Sequence, residues 1–178
     1  MKNLILIAFV LTSAISFGQN KRLKLENAVV IGQFDKADER YTMEAFMTEL
    51  LTEYKLKTTP SLNYVKNGEN TEVLLQDSLK NLLTEKGFDT YLVVGVRGYD
   101  RSFKPTNFKI SMNEKLDQGT LREIYRPGAV SVTFEFSFFR NNELVRVDFF
   151  RVGNVSDRDA VLKKLRKKLP KMMMANWK

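Results

Sequence analysis

Between residues 130 and 138 the chain alternates strictly. Val130, Val132, Phe134, Phe136 and Phe138 take every second place, and Ser131, Thr133, Glu135 and Ser137 stand between them. Successive side chains of a strand point to opposite faces, so this segment is expected to press an aromatic face onto a core and leave a polar face outside. Arg140, Asn141, Asn142 and Glu143 follow, and Asn tolerates the positive φ that a tight hairpin turn requires. Leu144 to Val152 then returns as the antiparallel partner. The rest of the chain must therefore supply a sheet for this hairpin to extend, and helices to cover it.

It carries the pattern to do so. Ala28 to Phe34 (AVVIGQF) and Thr90 to Tyr99 (TYLVVGVRGY) are near-continuous apolar runs, the mark of strands covered on both faces. Gly95 and Gly98 in the second run suggest a bend or the close approach of another backbone. Asp38 is expected to cap a helix from about Glu39 to Leu56, with Met43, Phe46, Met47, Leu50, Leu51 and Tyr54 facing the sheet. Pro60 breaks that pattern, and Ser61 to Val65 reads as a short strand. Thr71 is expected to cap a second helix with Val73, Leu75, Leu79, Leu82 and Leu83 on one side, and Gly87 followed by Phe88 gives its stop. Ser156 and Asp159 approximate a capping box for a last helix.

The order is therefore β-α-β-α-β-loop-β-β-α, an α/β domain of two or three layers over residues 19–178. Right-handed crossovers make its first three strands parallel, and the hairpin extends them into a mixed sheet of about five. Residues 100–128, polar and holding Pro105, Gly119 and Pro127, read as one long loop. A loop of that length inside a compact domain is usually functional or disordered.

Composition narrows the chemistry. Among 178 residues there is no His and no Cys, which excludes Ser-His-Asp triads, cysteine nucleophiles, disulfide frameworks, zinc fingers and His-based metal sites. No catalytic residue, metal ligand or cofactor is assigned. At the start, Lys2, an apolar run from Leu4 to Leu11 and small or polar residues to Gly18 have the order of a secretory signal, too broken to span a membrane. Cleavage after Gly18 is expected to release a soluble chain beginning at Gln19 into the periplasm or the exterior. With no Cys behind the apolar run, the attachment used by bacterial lipoproteins has no acceptor.

The opening strand AVVIGQF, two amphipathic helices, the strand FDTYLVVGVRGYD, the hairpin VSVTFEFSFFRNNELVRVDFFRVGN and a closing helix resemble a group of bacterial envelope domains. The group includes the periplasmic domain of the curli secretion channel, the penicillin-binding-protein activator lipoproteins and the N-terminal domain of the Tol-Pal translocation protein. The resemblance spans most of residues 27–175 and is architectural. It implies a non-catalytic domain that docks to another envelope protein. The channel and the activators are lipid-anchored through a Cys that this chain lacks, and residues 100–128 do not offer the alternating strands of a membrane-spanning hairpin.

Three places are candidates for function. Residues 157–178 hold eight basic and two acidic residues, and Lys163, Lys164, Lys167, Lys168 and Lys171 fall on the side of the last helix away from Val161, Leu162, Leu165, Leu169, Met172 and Met173. That face suits an acidic partner, anionic lipid or an anionic polymer, or it is a solvated face that keeps the chain in solution. Pro170 removes one helical hydrogen bond, so Lys171 to Lys178, with Met172, Met173, Met174 and Trp177, read either as a tail that kinks away as an exposed contact point or, for the methionines, as core packing, the preferred reading. At the carboxyl edge of the parallel strands, where open α/β sheets bind ligands, Asp35, Asp38, Asp100 and Arg101, with Glu39, are candidates to converge. There they would hold a divalent cation or act as acid and base, the alternative reading of a carboxylate-based metal binder or enzyme. Asp38 as a helix cap and Asp35 as a turn residue are the plainer readings. The third candidate is the 100–128 loop itself. Nucleic acid is not an expected partner, because export argues against it and no helix-turn-helix or aromatic stacking motif is present.

Overall fold

The computed structural model describes residues 22–66, 71–104, 110–117 and 121–178. The predicted leader lies outside them. Five strands, β1 (Asn27–Gln33), β2 (Lys57–Pro60), β3 (Thr90–Tyr99), β4 (Ser131–Arg140) and β5 (Glu143–Gly153), form one sheet in the order β2-β1-β3-β4-β5. β1 runs parallel to β2 and to β3, and β4 and β5 follow antiparallel, the mixed α/β sheet that the crossover rule predicts. In the β4–β5 turn both Asn141 and Asn142 have positive φ, 51° and 66°, as expected from their chemistry.

Helices lie on both faces. On one, α1 (Ala37–Glu53) and α4 (Arg158–Asn176) bury Met43, Met47, Leu50, Leu51, Leu165 and Leu169 against Val30, Val94, Phe134, Phe136 and Phe138. Each fully buried Phe contributes about 1.5–3 kcal/mol. On the other face, α2 (Asp77–Glu85), α3 (Met112–Asp117) and two short 3-10 turns close a smaller core around Val29, Ile31, Val93 and Phe139. The result is three layers, with α3 inside the segment that the sequence reads as loop. No helix among the described residues is long and apolar enough to cross a membrane.

Several local expectations are corrected. Lys36, not Asp38, occupies the α1 N-cap position; Asp38 sits in the first turn, where its charge favours the helix N-terminus. Ser61–Asn63 is a 3-10 turn and the strand precedes it, ending at Pro60, whose missing N–H is tolerated on an edge strand. Thr71 opens a 3-10 turn over Thr71–Leu75 before α2 begins. Asp157 caps α4 by accepting the Ala160 amide at 2.7 Å, so Ser156 and Asp159 form no capping box. The α2 stop is as predicted: Gly87 has φ +75°, and the amides of Gly87 and Phe88 return to the carbonyls of Thr84 and Leu83.

Two larger corrections concern whole segments. β4 is buried on both faces, because residues 100–103 and α3 lie over its Ser131, Thr133 and Ser137 side. The C-terminal segment does not swing out. α4 runs through Pro170 to Asn176, and Trp177 is fully buried, its ring 5.2 Å from Phe136 and 4.9 Å from Phe138. Its indole N–H donates to Asp148 at 2.7 Å, a buried carboxylate that also takes two hydrogen bonds from Arg146.

One buried polar cluster fastens α1 to the sheet. Glu44, with no exposure, accepts from the Gly32 amide (3.0 Å), Arg40 Nε (3.0 Å), the Ser61 hydroxyl (2.7 Å) and the Leu62 amide (3.0 Å). Both oxygens are occupied, so its charge is compensated rather than stranded. This holds the carboxyl end of β1 in place.

Candidate functional site

β1 stops at Gln33 and its chain leaves toward β2 on one side, whereas β3 continues to Tyr99 and leaves toward β4 on the other. Neighbouring parallel strands whose connections part in this way open a crevice at their carboxyl ends. A cavity of about 470 Å³ occupies that position, lined by Gln33, by Gly95 to Tyr99 and by residues of the 100–126 segment. Its described lining holds five cations, Arg97, Arg101, Lys115, Arg122 and Arg126, and a single carboxylate, Glu135.

The floor comes from β3 and β4. Glu135 takes an ion pair from Lys115 of α3, accepts the Ser137 hydroxyl at 2.9 Å and lies 3.7 Å from Arg97. Gln33 donates from its side-chain amide to the carbonyl of Lys115 at 3.0 Å, which binds the end of α3 to the end of β1. One wall is Phe103, stacked on Gly98 so closely that a Cβ there would stand 2.9 Å from the ring. The bend anticipated from these glycines is the register shift between Val96 and Gly98, and the backbone approach is at Gly95, where a Cβ would stand 3.2 Å from the Gln33 carbonyl oxygen. At Gly98 the approach is that of a side chain. Phe103 also lies 6.0 Å from Phe149 and carries the Arg97 guanidinium 5.6 Å from its ring centre.

The opposite wall is a strap, residues 121–126. Arg122 bridges to Phe34 at the end of β1, the Ile124 amide donates to the buried Glu39 carboxylate at 3.1 Å, and Glu123 pairs with Lys36 at 2.6 Å. Burial pushes the Glu39 carboxyl above the usual carboxylate range, against the Ile124 hydrogen bond, which lowers it. Tyr99 donates its hydroxyl to the Glu123 carbonyl at 2.6 Å, and Arg126 stands 4.6 Å from its ring centre. Burial, reinforced by the charges of Glu123 and Glu39, pushes the phenol up to about 12, so it stays a neutral donor near pH 7.

The four residues expected at this edge do not converge. Asp35 is exposed in the turn after β1, and Asp38 pairs with Arg158 at 3.0 Å, joining α1 to the start of α4. Asp100, at φ +53°, accepts the amides of Val130 and Ser131 at 3.0 and 2.8 Å and so sets where β4 begins. Arg101 alone of the four lines the cavity. Arg97, Lys115, Arg126, Tyr99 and Glu135 went unread. A signal existed for two of them: Arg97 interrupts an apolar strand, and Glu135 is the charge within the alternating one. Among the described residues no group of three or more acidic side chains is placed to hold a metal ion.

On α4, Lys163, Lys167, Lys168 and Lys171 are exposed and have no ion-pair partner among the described residues. Lys164 is engaged, donating to the carbonyls of Gly153 and Asn154. Arg166 bridges to Glu49 and Glu53 on α1 at 2.6 and 2.8 Å. With Trp177 inside the core, this helix offers a contact surface through its exposed lysines rather than through an aromatic side chain.

No protein-family model and no curated protein matches the chain. Among solved structures it is similar to lipoprotein GNA1162 from Neisseria meningitidis, at 15% identity over 84% of this chain and 96% of that one, with a TM-score of 0.45. It is also similar to the PelC dodecamer from Paraburkholderia phytofirmans, at 10% identity over 88% of this chain and 90% of that one, with a TM-score of 0.43.

Proposed function

We propose that this protein is a non-catalytic interaction module of the bacterial cell envelope, exported by its leader, which docks another envelope protein in the cleft at the carboxyl ends of β1 and β3. The observation that carries this reading is the cleft's construction: five cations against one carboxylate in its described lining, at the switch point of the sheet, walled by Phe103 on one side and by residues 121–126 on the other. Arg97 and Lys115 are held on Glu135 and Arg126 lies on the Tyr99 ring, an arrangement that gathers cationic donors for an anion. A second reading, docking of an anionic lipid or polymer surface on α4, is favoured by its four unpaired lysines.

One experiment separates the two. Cross-linked capture from native envelopes compares the exported chain, Gln19 to Lys178, with an R101E/R126E cleft variant and a K163E/K167E/K171E helix variant. A protein partner held by the parent and the helix variant, and lost from the cleft variant, is the expected result. Loss from the helix variant alone transfers the function to α4. A partner kept by both variants sinks both sites.

A further inference from the structure

Resting on that reading for the partner's being a protein, we infer that the cleft selects the carboxylates of an acidic, extended peptide segment. Glu135 stands in for the ligand's carboxylate in the free protein. The Lys115 ammonium, the Arg97 guanidinium and the Ser137 hydroxyl already converge on that one carboxylate, so the recognition geometry exists before any ligand arrives. Arg97 and Arg126 lie against the rings of Phe103 and Tyr99. A guanidinium held on an aromatic face keeps its N–H edge for in-plane acceptors, and its fork meets a carboxylate at two points.

The lining also explains why a peptide fits better than a bare anion. Leu121, 44% exposed, and Phe103 bring apolar surface to the same cavity as the cations. An acidic peptide with aliphatic neighbours covers both kinds of surface. Inorganic phosphate or a polyuronate brings charge without an aliphatic side chain.

Glu135 then competes with the ligand. Glu135→Gln keeps the side chain's shape and an acceptor for Ser137 while releasing Arg97 and Lys115 from their internal partner, so it strengthens binding. This sign is opposite to that of an ordinary structural residue, whose loss weakens whatever it supports.

The test is fluorescence anisotropy of a labelled peptide of alternating Glu and Leu, and of its Gln-for-Glu counterpart, titrated with the exported chain. The Glu peptide binds and the Gln peptide does not; E135Q tightens binding about threefold, and R101E/R126E weakens it about tenfold. Equal affinity for the two peptides, or no gain in E135Q, overturns the inference. So does preference for polyuronate or phosphate over the Glu peptide in competition. Melting curves and Trp177 emission check each variant's fold; were R101E/R126E not to fold, the E135Q gain and the Gln peptide still decide. A cleft-dependent envelope partner without an acidic segment overturns this inference and leaves the docking reading standing. Glu-peptide binding without any cleft-dependent envelope partner does the reverse.

Discussion

At the scale of single residues, two buried carboxylates of α1 act in opposite ways. Glu44 satisfies two backbone amides, a hydroxyl and Arg40, all in the interior. Glu44→Ala strands the Arg40 charge and is expected to cost about 3–5 kcal/mol in urea unfolding. Glu39 differs, because burial raises its carboxyl above the range it has in the unfolded chain. The native state then holds a proton that the unfolded state has released. Its contribution is fully present below the unfolded carboxylate range and is lost as pH rises through the raised value. Glu39→Gln, which keeps an acceptor for Ile124, is expected to flatten that decline; melting temperatures of both proteins across mildly acidic to neutral pH measure it. Tyr99, pushed up to about 12, is expected to form phenolate only in strong alkali, and Tyr99→Phe removes that late step from the ultraviolet titration. None of these roles is legible from residue type: Glu44 reads in the sequence as an ordinary polar position of an amphipathic helix, and Glu39 as one more carboxylate at the strand edge. Only packing decides which of them face inward.

At the scale of elements, α4 shows tertiary packing overriding a local signal. Pro170 removes a helical hydrogen bond, yet Leu169, Met173 and Trp177, spaced by four, are all buried on one side and hold the helix on the sheet through that break. Trp177→Ala is expected to cost about 3–5 kcal/mol, and because the chain has a single Trp, its emission shifts to longer wavelength when this end undocks. The lysines on the other side carry no such weight. K163E/K167E/K171E is expected to change stability by no more than about 0.5 kcal/mol, which the same unfolding curves show. β4 makes the complementary point. Its alternation located the strand and its aromatic face correctly, but its polar face is covered by the segment that follows β3, and becomes the floor of the cleft. Alternation reports which face is apolar; it does not report what lies over the polar one.

For the molecule as a whole, charge is arranged in two basic regions on different elements, the cleft and the lysine side of α4. Docking in either depends on ionic strength, since the screening length falls from about 30 Å at 0.01 M salt to about 3 Å at 1 M. Partner capture that survives both extremes unchanged would count against an electrostatic site of either kind. By itself the sequence determined neither α3 nor the place of β2, but it did determine the positions of β1, α1, α2, β3, the β4–β5 hairpin and α4, the parallel and antiparallel pairing, the hairpin turn and the glycine stop of α2. Each of these follows from periodicity or from the backbone freedom of one residue type, and both are properties of short stretches of chain. The tertiary structure alone decided that Asp38 and Asp100 fasten other elements, that Trp177 is core, and that Arg97, Lys115, Arg126 and Glu135 meet at one crevice. Those four side chains come from β3, α3, the strap and β4. Their meeting depends on how far β3 outruns β1 and on where α3 and residues 121–126 lie against the sheet, distances that no local pattern encodes.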